Sequence, residues 1–216
     1  VTQTSQARLP VPIEETARWY EGKTFSSDWT SWHFPTWVNL LAPFRERPAR
    51  MLEIGSWEGR SALFFLNYLP RMQLTCLDTF AGGQEHQEAA ARTPEDAEVL
   101  RGVEGRFDAN TAAFSARLEK IKAPSVDGLI QLGLADRRFD VAYVDGGHRA
   151  REVYADSALT WPLMAPGGLV ILDDYQWAEM SDPMDNPKPG VDAFLRSIDG
   201  QYRMVHNDYQ VAIARL

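Results

Sequence analysis

The stretch MLEIGSWEGRSALFFL, Met51 to Leu66, limits what this chain can fold into more than any other. A short apolar run through Met51, Leu52 and Ile54 ends at Gly55. Gly59 follows four residues later, where Ser61, Ala62, Phe64 and Leu66 begin a period near 3.6. The pattern predicts a strand, a glycine turn and a helix. Glycine lets the backbone bend and lets a ligand come close, and the free N–H groups of a helix start favour an anionic group, a carboxylate as well as a phosphate. The turn alone also has a purely structural reading, because any doubly wound fold needs a tight first crossover.

The rest of the chain supplies the context. Further strands are expected at Gln73 to Leu77, ending in Asp78-Thr79-Phe80 before Gly82-Gly83, and at Leu118 to Ile121. A fourth runs from Phe139 to Val144 and ends in Asp145-Gly146-Gly147-His148. A fifth, Leu169 to Leu172, follows the turn Pro166-Gly167-Gly168 and ends in Asp173-Asp174. Helices are expected over Asp108 to Ala116, Ser125 to Leu134, about fifteen residues through Trp161, and Val191 to Ile198, with an irregular loop from Trp177 to Pro189. Tyr202 to His206 and Gln210 to Arg215 read as an antiparallel pair. Such alternation predicts an α/β fold with a mostly parallel, doubly wound sheet and ligands at the strands' carboxyl ends, where all these acids lie.

Two segments stand outside the alternation. Gln84 to Arg106 is charged and Ala-rich and reads as an inserted helical or mobile piece. The first 36 residues hold a polar stretch to Pro12 and then a run of aromatics, among them Trp19, Trp29, Trp32 and His33. Most are expected in the core, some in a lid over a main domain of residues 37–216. Gly22-Lys23-Thr24 is no phosphate loop, since Ala17 stands where the first glycine should be.

Composition narrows the partners. At 216 residues one domain with a full core is expected, and a formal charge of −8 opposes nucleic acid and anionic membranes. With one cysteine, Cys76, and no apolar run approaching a membrane span or a signal peptide, a cytoplasmic protein acting on small molecules is expected, and a homo-oligomer is open.

Over about Trp37 to Leu216 the chain resembles class I S-adenosylmethionine-dependent methyltransferases. Within that class it is most similar to a small bacterial group with an EIG(S/T)xxGxS turn, DGGH after the fourth strand and PGG(L/V)…DDY at the fifth, akin to metal-dependent O-methyltransferases of sugars and catechols. The resemblance implies a Rossmann-like seven-stranded sheet with a C-terminal antiparallel hairpin. It places Glu53, Gly55 and Gly59 at the methionine end of S-adenosylmethionine, Asp78 at the ribose and Phe80 and Ser125 at the adenine, with Ser56, Ser61, Thr79 and Asp145 as further cofactor-binding candidates. Trp57 stands where many members have glycine, and is a weaker candidate for cofactor contact.

The resemblance also implies a metal, Mg²⁺, held by Asp145, Asp173 and Asp174, and oxygen donors suit such a hard cation. The plainer reading leaves Asp173 and Asp174 as caps. His148 occupies the place of a catalytic lysine in the catechol enzymes, and an imidazole suits a general base at neutral pH. The expected reaction is methyl transfer to a hydroxyl of a small-molecule acceptor. A metal-independent methyltransferase or a cofactor-binding protein without catalysis are the alternatives. A nicotinamide reductase lacks the Tyr-x-x-x-Lys it would need, and His206-Asn207-Asp208 falls on a hairpin turn, which disfavours an iron oxygenase.

Overall fold

The computed structural model describes residues 13–216. The expectation for Val1 to Pro12 lies outside them. Seven strands form one sheet: β1 Ala49–Ile54, β2 Met72–Asp78, β3 Leu118–Lys122, β4 Phe139–Val144, β5 Met164–Leu172, β6 Tyr202–Asn207 and β7 Val211–Arg215. Their order is β3-β2-β1-β4-β5-β7-β6. The first five run parallel, and β7 pairs antiparallel with both β5 and β6. This is the Rossmann-like sheet with a terminal hairpin that the strand pattern and the resemblance imply.

The central strands bury side chains on both faces, so each strand reads as continuously apolar. Met51, Tyr143 and Ile171 point into one core with Trp37, Phe64 and Phe65. Leu52, Ile54, Ala142 and Val170 point into the other, with Leu129, Trp161 and Phe194. Helices cover both: α1 Ile13–Thr16, α2 Phe34–Leu41, α3 Arg60–Tyr68, α4 Gln84–Arg92, α5 Pro94–Thr111, α6 Ser125–Leu134, α7 Ala150–Thr160 and α8 Lys188–Ser197.

Three boundaries differ from expectation. The segment after β2 is two helices, and Asp108 to Thr111 is the tail of α5 rather than the start of a separate helix. Thr93 caps α5 by accepting from Asp96 N at 3.0 Å, with Pro94 in the first turn, and this strong start carries the helix through Gly102 and Gly105. Pro166-Gly167-Gly168 lies inside β5, at an irregularity in its pairing with β4, because the register shifts there instead of ending. Finally, α8 starts at Lys188, since prolines are tolerated in a first helical turn.

The N-terminal aromatics divide into two sets. Phe34 and Trp37 are buried in the first core, and Trp19 and Tyr20 pack on it. Trp29 and Trp32 are over half exposed and face the carboxyl end of the sheet.

Candidate functional site

Strands β1, β2, β4 and β5 all end at one cavity of about 660 Å³. That is ample for a cofactor-sized ligand. One wall is the turn after β1. Gly55 has φ +82°, and a Cβ there would lie 1.7 Å from the Asp145 carbonyl oxygen, so β1 and β4 approach too closely for any side chain. Trp57, Phe80 and Asp174 also take the left-handed conformation, each at a strand end beside the cavity. Such strain persists only where surrounding contacts over-determine it.

The turn is held from beneath by Glu53, which is fully buried and does not line the cavity. Its carboxylate accepts from Ser61 Oγ at 2.6 Å, Ser56 Oγ at 2.7 Å and Cys76 Sγ at 3.1 Å. Burial pushes Glu53 above the usual carboxylate range, against the pull of those three donors. From above, Asp78 Oδ2 accepts the backbone N–H groups of Ser56 at 2.7 Å and Trp57 at 2.8 Å, while Oδ1 accepts from Phe80 N at 2.6 Å. A carboxylate has about four acceptor positions. Asp78 thus spends most of them on the turn, so holding two ribose hydroxyls requires it to release part of this set.

Of the residues to which the resemblance assigns the cofactor, Gly55, Ser56, Trp57, Ser61, Thr79, Ser125 and Asp145 line the cavity. Phe80 does not: its ring is buried against Phe107, with centroids 4.9 Å apart, because the left-handed turn at Phe80 swings it into the core. Gly59 lies behind the wall as the cap of α3. Both corrections follow from backbone conformations that a motif does not display.

At the far end the acids and the imidazole meet. Ligand-type atoms of Asp145, His148 and Asp174 lie within 4.8 Å of one another, a spacing that a metal ion could bridge. Asp173, the remaining acid of the expected trio, also lines the cavity, but its oxygens are engaged from behind. It accepts from Gln210 Nε2 at 2.9 Å, from Asp174 N at 2.8 Å and from the Tyr143 hydroxyl, and Gln210 in turn accepts from Trp37 Nε1 at 2.9 Å. His33 Nε2 stands 3.6 Å away. Asp173 therefore anchors the strand end through a buried polar chain, and in this arrangement His148 takes its place in the cluster.

The electrostatics suit a cation. Burial and the adjacent charges of Asp173 and Asp174 push Asp145 well above the carboxylate range. Burial and the Asp174 charge push Asp173 up to about 7. Burial opposes a charge on His148, but its contacts with Asp174 and Glu85 outweigh that and lift it to about 10. His148 Nε2 is 3.0 Å from Asp174 Oδ2, and Tyr209 Oη donates to Asp174 Oδ1 at 2.9 Å. His33 is held neutral by burial, down to about 4. Converging carboxylates that favour protons and a cationic ring are what a divalent cation would replace, so the donor set fits one.

Sequence reading missed Glu85, Tyr143, Tyr209 and Gln210, and named His33 only within the N-terminal aromatic run. Only Tyr209 and Gln210 had a local signal, their closeness to the hairpin turn. The others reach the site through helix and strand geometry.

Residues 52–175, more than half of the chain, match a family model described as a methyltransferase domain. The mycinamicin VI 2''-O-methyltransferase of Micromonospora griseorubida is 25% identical over 150 residues, which are 66% of this chain and 31% of that protein. Protein R132 of Acanthamoeba polyphaga mimivirus is 25% identical over 162 residues, 71% of this chain and 65% of that one. The chain spans less than two thirds of the length of either relative. Among solved structures, MycE in complex with Mg, SAH and mycinamycin VI superposes with a TM-score of 0.64 at 19% identity, covering 94% of this chain and 53% of that one. TomG from Streptomyces achromogenes in complex with SAM gives 0.59 at 16% identity, covering 94% and 88%. At these identities the structural likeness is one of fold.

Proposed function

The chain belongs to the methyltransferase domain family, and from that premise we propose that it transfers the methyl group of S-adenosylmethionine to a hydroxyl of a small-molecule acceptor. The observation that carries the reading is the convergence of Asp145, His148 and Asp174 on the cavity that the β1 turn walls. Solved relatives whose names record Mg with SAH, or SAM, support it by fold.

The turn residues Gly55 to Trp57, with Ser61, Asp78, Thr79 and Ser125, would hold the cofactor, and Asp145 and Asp174 would hold Mg²⁺. A bound Mg²⁺ supplies a fixed positive charge that orients an acceptor oxygen and favours its ionised form. The chain's own residues do the rest. The turn aligns the sulfonium with the acceptor, and alignment is worth on the order of 7–11 kcal/mol in such reactions. With a cation in place of the proton that Nε2 shares with Asp174, His148 would be neutral and would take the hydroxyl proton as the oxygen–carbon bond forms and the sulfur–carbon bond breaks. A base so placed contributes roughly 10²–10⁴-fold. Trp29, Trp32 and Trp177 line the cavity and would limit the access of water to a bound acceptor.

The 4.8 Å cluster favours a second reading, in which His148 is a ligand beside Asp145 and Asp174. One experiment separates the two. Isothermal calorimetry of Mg²⁺ with wild type and His148→Ala, each saturated with S-adenosylhomocysteine, should show unchanged affinity if His148 is the base and a large loss if it is a ligand. No Mg²⁺ binding by wild type, or no binding of S-adenosylhomocysteine, would overturn the proposal as a whole.

A further inference from the structure

Glu85 belongs to no strand end, yet its carboxylate reaches the chemistry. It sits in the first turn of α4, and Oε1 lies 3.3 Å from His148 Nδ1 and 3.1 Å from His86 Nδ1. Gly83 makes this reach possible. A Cβ on Gly83 would stand 2.5 Å from Glu85 Oε1 and 2.9 Å from Oε2, so a side chain there would force the carboxylate away.

Within the site the His148 ring is constrained on three sides. Trp177 covers a face at 4.6 Å between centroids, Asp174 Oδ2 stands at Nε2, and Glu85 is the acid at Nδ1. Nδ1 is buried and stands at ion-pair distance from Glu85 without a formed hydrogen bond. The two ring nitrogens of an imidazole are not equivalent, and the bond made by one decides which carries the lone pair. Where an imidazole works through one nitrogen, a carboxylate commonly accepts the N–H of the other and sets the ring's orientation.

We infer that Glu85 is a positioning residue: its carboxylate accepts the Nδ1–H of His148, so that once a cation displaces the proton Nε2 shares with Asp174, the working lone pair lies on Nε2, facing Asp145 and Asp174. The inference rests on the proposed role of His148 Nε2 and holds whether that atom acts as base or as ligand. It also gives the inserted helix a part in the chemistry. His86, the next residue of α4, packs on Trp57 at 4.5 Å and on Trp29 at 5.7 Å, so the helix that carries Glu85 touches both the cofactor turn and the N-terminal segment. The competing account makes Glu85 only an acid in a helix's first turn, where it complements the helix dipole.

The test needs no turnover. The chain has four histidines, so nitrogen-15 labelling of histidine gives few ring signals, and those of His148 are assigned by their loss in His148→Ala. With MgCl₂ and S-adenosylhomocysteine at pH 8, wild type should show a proton on Nδ1 and an unprotonated Nε2. Glu85→Gln should keep that pattern, because its amide oxygen accepts the same N–H. Glu85→Ala should lose it and move toward the Nε2–H form, with His33 and His206, which do not contact Glu85, unshifted as the control for folding. A His148 spectrum that Glu85→Ala leaves unchanged overturns the inference, as does a wild-type ring protonated on Nε2 alone. Failure of the base or ligand reading appears instead in the Mg²⁺ titration of His148→Ala, so the two failures are distinguishable.

Discussion

Gly55→Ala tests the backbone contact on which the site depends, and its cost can be separated into parts. Gly22, Gly55 and Gly59 all have φ between +71° and +82°, so alanine at each bears the same left-handed strain, about 1–2 kcal/mol. Restricting the unfolded chain returns about 0.4–1 kcal/mol in every case. What differs is space. Nothing lies within 4 Å of a Cβ on Gly22, whereas on Gly59 the nearest atom is Thr111 Cγ2 at 3.0 Å, a side-chain methyl. On Gly55 it is the Asp145 carbonyl oxygen at 1.7 Å, and restoring the 3.4 Å of ordinary contact would part the two strand ends by about 1.7 Å. Rigid overpacking of this kind costs about 1–3 kcal/mol or more. Gly22→Ala should therefore lose about 1 kcal/mol, Gly59→Ala slightly more, and Gly55→Ala about 2–4 kcal/mol. Urea unfolding followed by tryptophan fluorescence reads these as midpoint shifts at constant slope. Because Asp145 moves with its carbonyl, Gly55→Ala should also weaken S-adenosylhomocysteine and Mg²⁺ binding in calorimetry while Gly22→Ala should not. A Gly55→Ala protein no less stable than Gly22→Ala would refute the close approach of β1 and β4.

Other consequences are open to measurement. Burial lifts Asp156 from 3.8 to about 6, against a hydrogen bond from Ser125 and with help from the Glu152 charge. A raised folded value favours the protonated acid, so its stabilising share is complete below pH 3.8 and lost as pH rises through about 6. Asp156→Asn should gain about 2–2.5 kcal/mol relative to wild type between pH 4 and pH 8 in urea unfolding, and a pH-independent difference would contradict this. Gln210→Leu leaves buried Trp37 Nε1 without its acceptor and Asp173 without one of its three donors, and should cost about 2–4 kcal/mol; a loss below 1 kcal/mol would show that the buried chain is not held as described. MgCl₂ at a hundred times its dissociation constant should stabilise the folded chain by about 2.7 kcal/mol in thermal unfolding, and Asp145→Asn together with Asp174→Asn should abolish that gain. An equal gain in the double variant would place the ion elsewhere.

The amino-acid sequence by itself determined the order of strands and helices, the parallel sheet with its closing hairpin, and the set of strand ends where Gly55, Asp78, Asp145, His148, Asp173 and Asp174 gather. These are legible because each rests on a local pattern: an apolar run, a glycine at a turn, an acid just past a strand. The tertiary structure alone decided which way those side chains face. Nothing near Phe80 in the chain announces its left-handed backbone, and so its ring turns from the adenine wall to Phe107. Asp173 and Asp174 are neighbours in sequence with the same chemistry. Both line the cavity, but Gln210 and Tyr143 occupy the oxygens of the first, while the second, at a positive φ, stands beside His148. Glu85 was hidden for the same reason, since its partner His148 lies 63 positions away and only the packing of α4 over the sheet's carboxyl end brings the two within 3.3 Å. Local patterns specify elements because backbone geometry is local. Side-chain partners across a site depend on packing between elements distant in the chain, and no short window of residues records that.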